Sequence, residues 1–165
     1  MVFTICGNAK SKIDTEKIIH EIKFDFKKYP AKREIVYQYH RNHHGSDHLQ
    51  KHEIGIDLYD INGDGKDEVF VYLHSNNYCN PNGSCAFQIF ESTGKDNYAP
   101  IILGGAQQHQ IYLSNKTFVV SVLQSSTMHY HDILFSVPHH GSTAVWKWQK
   151  SGGYDLVDSI DKSNR

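Results

Sequence analysis

Residues 60–68 read DINGDGKDE and place oxygen-bearing side chains at alternate positions around two glycines. Counting Asp60 as position 1, Asn62 falls at 3, Asp64 at 5 and Glu68 at 9, with Gly65 at 6 to permit a sharp turn. This is the chemistry of a hard cation. Calcium takes about six to eight oxygen ligands, and a short loop that turns every second side chain inward supplies them. Lys66, at position 7, can contribute only its backbone carbonyl. The three carboxylates of Asp60, Asp64 and Glu68, turned inward together, would repel one another without a cation. The alternative is a metal-free turn rich in Asn, Asp and Gly.

An EF-hand needs a bidentate Glu at position 12 and a helix on each side. Here position 12 is Val71, inside an alternating strand pattern, so that reading and a dockerin-type loop both fail. The remaining pattern is strand, D-x-N-x-D-G-x-x-E, strand. Over residues 54–73 it resembles the calcium loops of the FG-GAP and VCBS families. The resemblance implies calcium held by the side chains of Asp60, Asn62, Asp64 and Glu68 and by the carbonyl of Lys66. It also implies a structural clamp. The sequence departs from those families in having Glu68 where Asp is usual, and one copy where propellers have several.

Cys79 and Cys85 sit in YCNPNGSCAF, a C-x5-C spacing over turn-forming residues. Such a stretch can bring two strand ends to disulfide distance, which favours an oxidising compartment. Two buried free thiols are the alternative, and Cys6 is the odd one out: free, intermolecular, or disordered.

Twelve histidines are present. Five of them (His40, His43, His44, His48 and His52) fall in HRNHHGSDHLQKH. His44, His48 and His52 have the spacing of one helix face that could hold zinc, but Gly45, Ser46 and flanking strand patterns predict a loop. His129 and His131 would share a strand face, with Asp132 on the other. His139 and His140 complete a second group. There is no G-x-S-x-G, H-E-x-x-H, P-loop or dinucleotide fingerprint.

The elements that must position these residues follow from periodicity. SKIDTEKIIHEIKFDF predicts a helix, capped at Asp14, with Ile18, Ile19, Ile22 and Phe26 on one face. Pro30 would stop it. From 33 onward the period is two, and strands are predicted at 33–40, 52–60, 68–75, 85–92, 110–115, 116–126 and 131–137. A hairpin follows at 144–159. The fold class is therefore α+β, mainly antiparallel: one N-terminal helix followed by about seven to nine strands. The expected organisation is a flexible segment 1–10, a globular domain 11–160 and a flexible end 161–165.

A formal net charge of −1 gives no electrostatic footprint for nucleic acid. No apolar run is long enough to span a bilayer. The N-terminal apolar stretch is short for a signal peptide, so the chain either stays in the cytoplasm or is exported and has lost its leader. The order IDLYDINGDGKDEVFVYL, YCNPNGSCAFQIFE, VWKWQKSGGYDLVDS also looks like small periplasmic proteins, some of which are immunity proteins against the cell-wall-degrading effectors of type VI secretion. That layout implies a non-enzymatic periplasmic or secreted protein. Its partner would be a secreted effector enzyme, its cofactor calcium, and a homodimer is left open. Candidate contacts are His43, His44, Asn80, Asn82, His129, Tyr130 and His131, in the loops 40–52, 77–86 and 125–143. Two other readings stand beside it. One is a metal-dependent hydrolase using the histidines. The other is a carbohydrate-binding module using Trp146 and Trp148, which share a face of the last hairpin or else pack in the core.

Overall fold

The computed structural model describes residues 17–45, 48–95, 97–104, 108–114, 118–137 and 142–160. Within them lie one α-helix and ten strands, in two antiparallel sheets. The first sheet runs β1 (Ile18–Glu21), β7 (Val119–Thr127), β8 (Tyr130–Val137), β9 (Ser142–Gln149), β10 (Gly153–Ile160). The second runs β2 (Ile54–Tyr59), β3 (Glu68–Leu73), β4 (Ser84–Gly94), β5 (Asn97–Pro100). In that sheet β6 (Ile111–Ser114) pairs with the first half of β4, and β5 with the second half.

The second sheet is buried on both faces, because it lies between the helix α1 (Pro30–His44) and the first sheet. Ile54, Ile56, Val69, Val71 and Leu73 pack with Val36 of α1. Phe70, Phe87 and Ile89, on the opposite face by strand alternation, pack with Val120, Val122, Ile133 and Phe135 of the first sheet. All six residues of β3 are consequently buried. Among the described residues, backbone bonds tie segments flanking one sheet to the other sheet around Asp25, Leu103 and Ile61. Asp25 bridges to Ile56, with its N–H donating to the Ile56 carbonyl at 2.9 Å. Leu103 bridges to Tyr154. There the Cβ of any residue replacing Gly153 (φ 151°) would fall 2.6 Å from the Ile102 carbonyl oxygen, so a side chain cannot be accommodated.

The helix is not where periodicity places it. Residues 18–21, expected to be helical, form β1, with Ile18 and Ile19 exposed and Ile18 opposite Leu123. The expected cap at Asp14 lies outside the described residues. Residues 33–40, expected to be a strand, are helical, and the helix continues through His43 and His44 into the expected loop 40–52. Pro30 occupies the first turn of the helix, where its missing N–H is no loss, and so begins an element instead of ending one. The helix was hidden because two of its three buried residues are polar, Arg33 and His40 beside Val36. Arg33 turns its guanidinium to the carbonyls of Ile54, Lys27, Asp25 and Lys28, which binds the start of the helix to β2 and to the turn before it. Strands β1 and β5 were not expected; the other eight overlap the predicted segments.

Candidate functional site

The loop joining β2 and β3 is organised by its own side chains. Asp60 accepts the N–H groups of Gly63 (2.7 Å) and Gly65 (2.9 Å). Asn62 Oδ1 accepts the N–H of Asp64, and Asp64 Oδ1 that of Lys66. These bonds replace the ladder bonds that a hairpin of this length lacks, and they fix the turn. Both glycines have positive φ, 73° and 83°.

Glu68 differs from the rest. It is fully buried at the start of β3, with Oε2 accepting the Ile61 N–H at 2.8 Å and Oε1 3.4 Å from the Asn62 amide. Burial pushes its carboxyl up to about 8. The Ile61 bond pulls it down, and the charges of Asp64, Glu91 and Asp60 push it further up. Glu91 follows Phe90, which pairs with Val69, so it stands opposite Glu68 at the end of the ladder. Asn62 reaches it through Nδ2 at 3.3 Å. Among the described residues no three His, Cys, Asp or Glu side chains are gathered as a metal site.

The loop rests against the β7–β8 hairpin. The His131 N–H donates to the Ile61 carbonyl at 2.7 Å, and the Tyr130 hydroxyl donates to Glu91. Burial, with the Glu91 bond, pushes the Tyr130 phenol up to about 12. Tyr130 also lies flat on Trp148, with ring centroids 3.6 Å apart. Trp146 and Trp148 are half-buried against the core, so the face they share on β9 serves packing.

The hairpin itself ends in a two-residue tip, Met128-His129, between the paired Thr127 and Tyr130. Both tip residues have positive φ, 54° and 74°, and Met128 is 50% exposed. Two-residue turns of this kind match the strand twist but favour Asn and Gly, since a Cβ is strained there. His129 therefore sits in the turn and not on a strand face with His131, which separates the pair that H-x-H spacing predicts. The buried Asp132 pairs with Lys147 at 3.2 Å and accepts the Thr127 hydroxyl at 2.8 Å, so it is a structural anchor of the tip.

The disulfide between Cys79 and Cys85 is present. Asn80 and Asn82 hold its turn: the Asn80 N–H donates to the Ser84 carbonyl and Asn82 Oδ1 accepts the Ser84 N–H. Of the helix histidines, His43 stacks on Tyr39 at 4.2 Å and His44 on His40 at 5.6 Å, both exposed. His52 lies in a 3-10 turn, Lys51–Glu53. Cys6, His139 and His140 are outside the described residues. The structure thus groups Tyr130 and His131 with the acidic loop, leaves His129 exposed in the turn, and places His44 with residues 77 and 78 at another cleft.

Sequence reasoning missed Glu91 and Arg33, and it read Asp132 beside the histidines without its pairing to Lys147. Only strand register could have placed Glu91, and its signal is a second acid opposite Glu68, which a ladder tolerates poorly. It also missed the pairing of His20 with Asp57 at 3.1 Å, which joins β1 to β2. Comparison with protein-family models, with curated proteins and with solved structures finds no match to this chain. No described helix is long and apolar enough to cross a membrane.

Proposed function

We propose that the chain is a non-enzymatic binding domain that presents the β7–β8 hairpin tip to a protein partner, with the loop beneath it stiffened by calcium. The strained, exposed Met128-His129 tip carries the reading. Non-glycine residues held at positive φ cost stability, and such strain gathers where a surface is shaped for contact. The tip is braced from behind by the His131–Ile61 bond, the Tyr130–Trp148 stack and the Asp132–Lys147 pair.

The donor chemistry of the loop fits calcium. Asp60, Asn62, Asp64 and Glu68 offer hard oxygens, and Lys66 a carbonyl. A cation there would offset the charge that Glu68, Asp60, Asp64 and Glu91 place in one small region. The disulfide and the order of strand, acidic loop, strand, cysteine loop and terminal hairpin support an exported protein. In its most specific form, the domain is a periplasmic immunity protein that blocks a cell-wall-degrading effector. Calorimetry with calcium after chelation tests the loop: neither heat nor a rise in melting temperature would remove the cation. Assaying cell-wall-degrading effectors against the wild type and Met128→Asn/His129→Gly tests the tip. Inhibition by both proteins alike would remove the hairpin as the contact.

A further inference from the structure

A second cleft lies at the C-terminal end of α1, away from the features used above. It encloses about 400 Å³ and is lined by His44, His48, Asn77, Tyr78, Gln110 and Tyr112. That volume lies in the roughly 300–1,000 Å³ range of small-molecule sites. Behind it runs a chain of hydrogen bonds. Its inner members are buried, His40 at 1% and Gln88 at 3% exposure.

The polarity of that chain can be assigned atom by atom. The Gln88 Oε1 can only accept, so His40 Nε2 carries the proton of their 2.9 Å bond. His40 Nδ1 then accepts, and the Tyr78 hydroxyl donates to it at 2.9 Å. In the other direction Gln88 Nε2 donates to Gln110 Oε1 (3.2 Å), and Gln110 Nε2 donates to the Tyr112 oxygen (3.0 Å). Both ends are therefore fixed. Tyr112 has its O–H proton left to give, and Tyr78 has lone pairs left to accept. Asn77 spends one side-chain amide N–H on the His48 carbonyl and keeps its oxygen.

Burial keeps the His40 imidazole neutral, lowering it to about 4, so the relay brings no charge to the wall. Among the described residues lining the cleft there is no acid, lysine or arginine. An anion would find no fixed counter-charge, and an apolar ligand would strand several polar groups. Vicinal hydroxyls match, since each both donates and accepts, and the half-exposed Tyr112 ring supplies an apolar surface for the C–H-rich side of a sugar.

We propose that this cleft, with its ends set by the Tyr78–His40–Gln88–Gln110–Tyr112 relay, binds a neutral saccharide ring. The assignment goes beyond the hairpin and the acidic loop and does not depend on them. The test is saturation-transfer NMR of the whole chain with glucose, galactose, N-acetylglucosamine and their disaccharides at millimolar concentration. Inorganic phosphate and zinc serve as competing probes. At least one sugar is expected to bind, and Tyr112→Phe, a change at a half-exposed residue, to weaken it about five- to tenfold by removing one donor. Gln110→Ala is expected to weaken it similarly with the melting temperature little changed. Three results would overturn the proposal: no sugar binding, binding that neither variant alters, or phosphate or zinc displacing the sugar from the cleft.

Discussion

Replacing the hairpin tip with Met128→Asn/His129→Gly is expected to make the protein more stable. Each L-residue in the left-handed region carries a strain of roughly 1–2 kcal/mol, so the tip holds roughly 2–4 kcal/mol between its two residues. Asn relieves part of this at 128, and Gly nearly all of it at 129, less roughly 0.5–1 kcal/mol for glycine's freedom in the unfolded chain. Little packing is lost, because Met128 is half exposed and His129 is exposed. The net gain is about 1–2 kcal/mol, or about 2–8 °C at roughly 2–4 °C per kcal/mol for a chain of this size. Thermal unfolding followed by circular dichroism, with calcium and with chelator, measures it, and the shift should be similar in both. An unchanged or lower melting temperature would mean that the tip is not strained. The reasoning from strain to contact surface would then be lost.

Removing the bridge with Cys79→Ala/Cys85→Ala should cost about 2–3 kcal/mol in urea unfolding, given the six-residue separation. A loss near zero would show that the turn is held by Asn80 and Asn82 alone. The buried His40 has a folded pKa of about 4, below the ordinary value of 6.5. Its neutral form is thus favoured by folding, and its contribution is complete above pH 6.5 and lost as pH falls through about 4. Urea unfolding between these limits should show a decline of at most about 3 kcal/mol that His40→Gln flattens. An equal decline in the variant would assign the effect elsewhere. Gly55→Ala would place a methyl 2.8 Å from Phe26 Cζ and 3.0 Å from Phe24 Cβ, at a cost of about 1–3 kcal/mol. A variant as stable as the wild type would show that those rings move freely. Glu68→Gln should raise the stability of calcium-free protein at neutral pH and abolish any gain from added calcium. If calcium stabilises the variant as well, Glu68 is no ligand.

Where burial is carried by apolar residues at a clean period, the sequence was readable. Ile54 and Ile56, then Val69, Val71 and Leu73, mark one face of β2 and β3 and pack as expected. The hairpin around Gly152, the disulfide and the loop between β2 and β3 were legible from spacing and turn chemistry. The helix was not, because Arg33 and His40 supply much of its buried face, and Ile35, Tyr37 and Tyr39 imitate a strand. The partners of the site were hidden for another reason. Glu91 meets Glu68 only through the β3–β4 register, and Tyr78 meets His40 across 38 residues of sequence. Such contacts depend on strand register and on how the helix packs over the sheet, and local periodicity holds no information about either.

Strand β1 pairs with β7, so the whole of the second sheet lies between these partners in the chain. Every other ladder in the first sheet joins neighbours in sequence, as do β2–β3, β3–β4 and β4–β5. Local hairpins close quickly, whereas a long loop must be closed before β1 gains anything from docking. The order of events during folding follows. The sequential hairpins form first, the sheets stack, and β1 arrives last, so the side of β7 that it covers stays open longest. Pulse-labelled hydrogen exchange should find the amides of Ile18–Glu21 among the slowest to gain protection, and until β1 docks the open side of β7 can pair with a stranger.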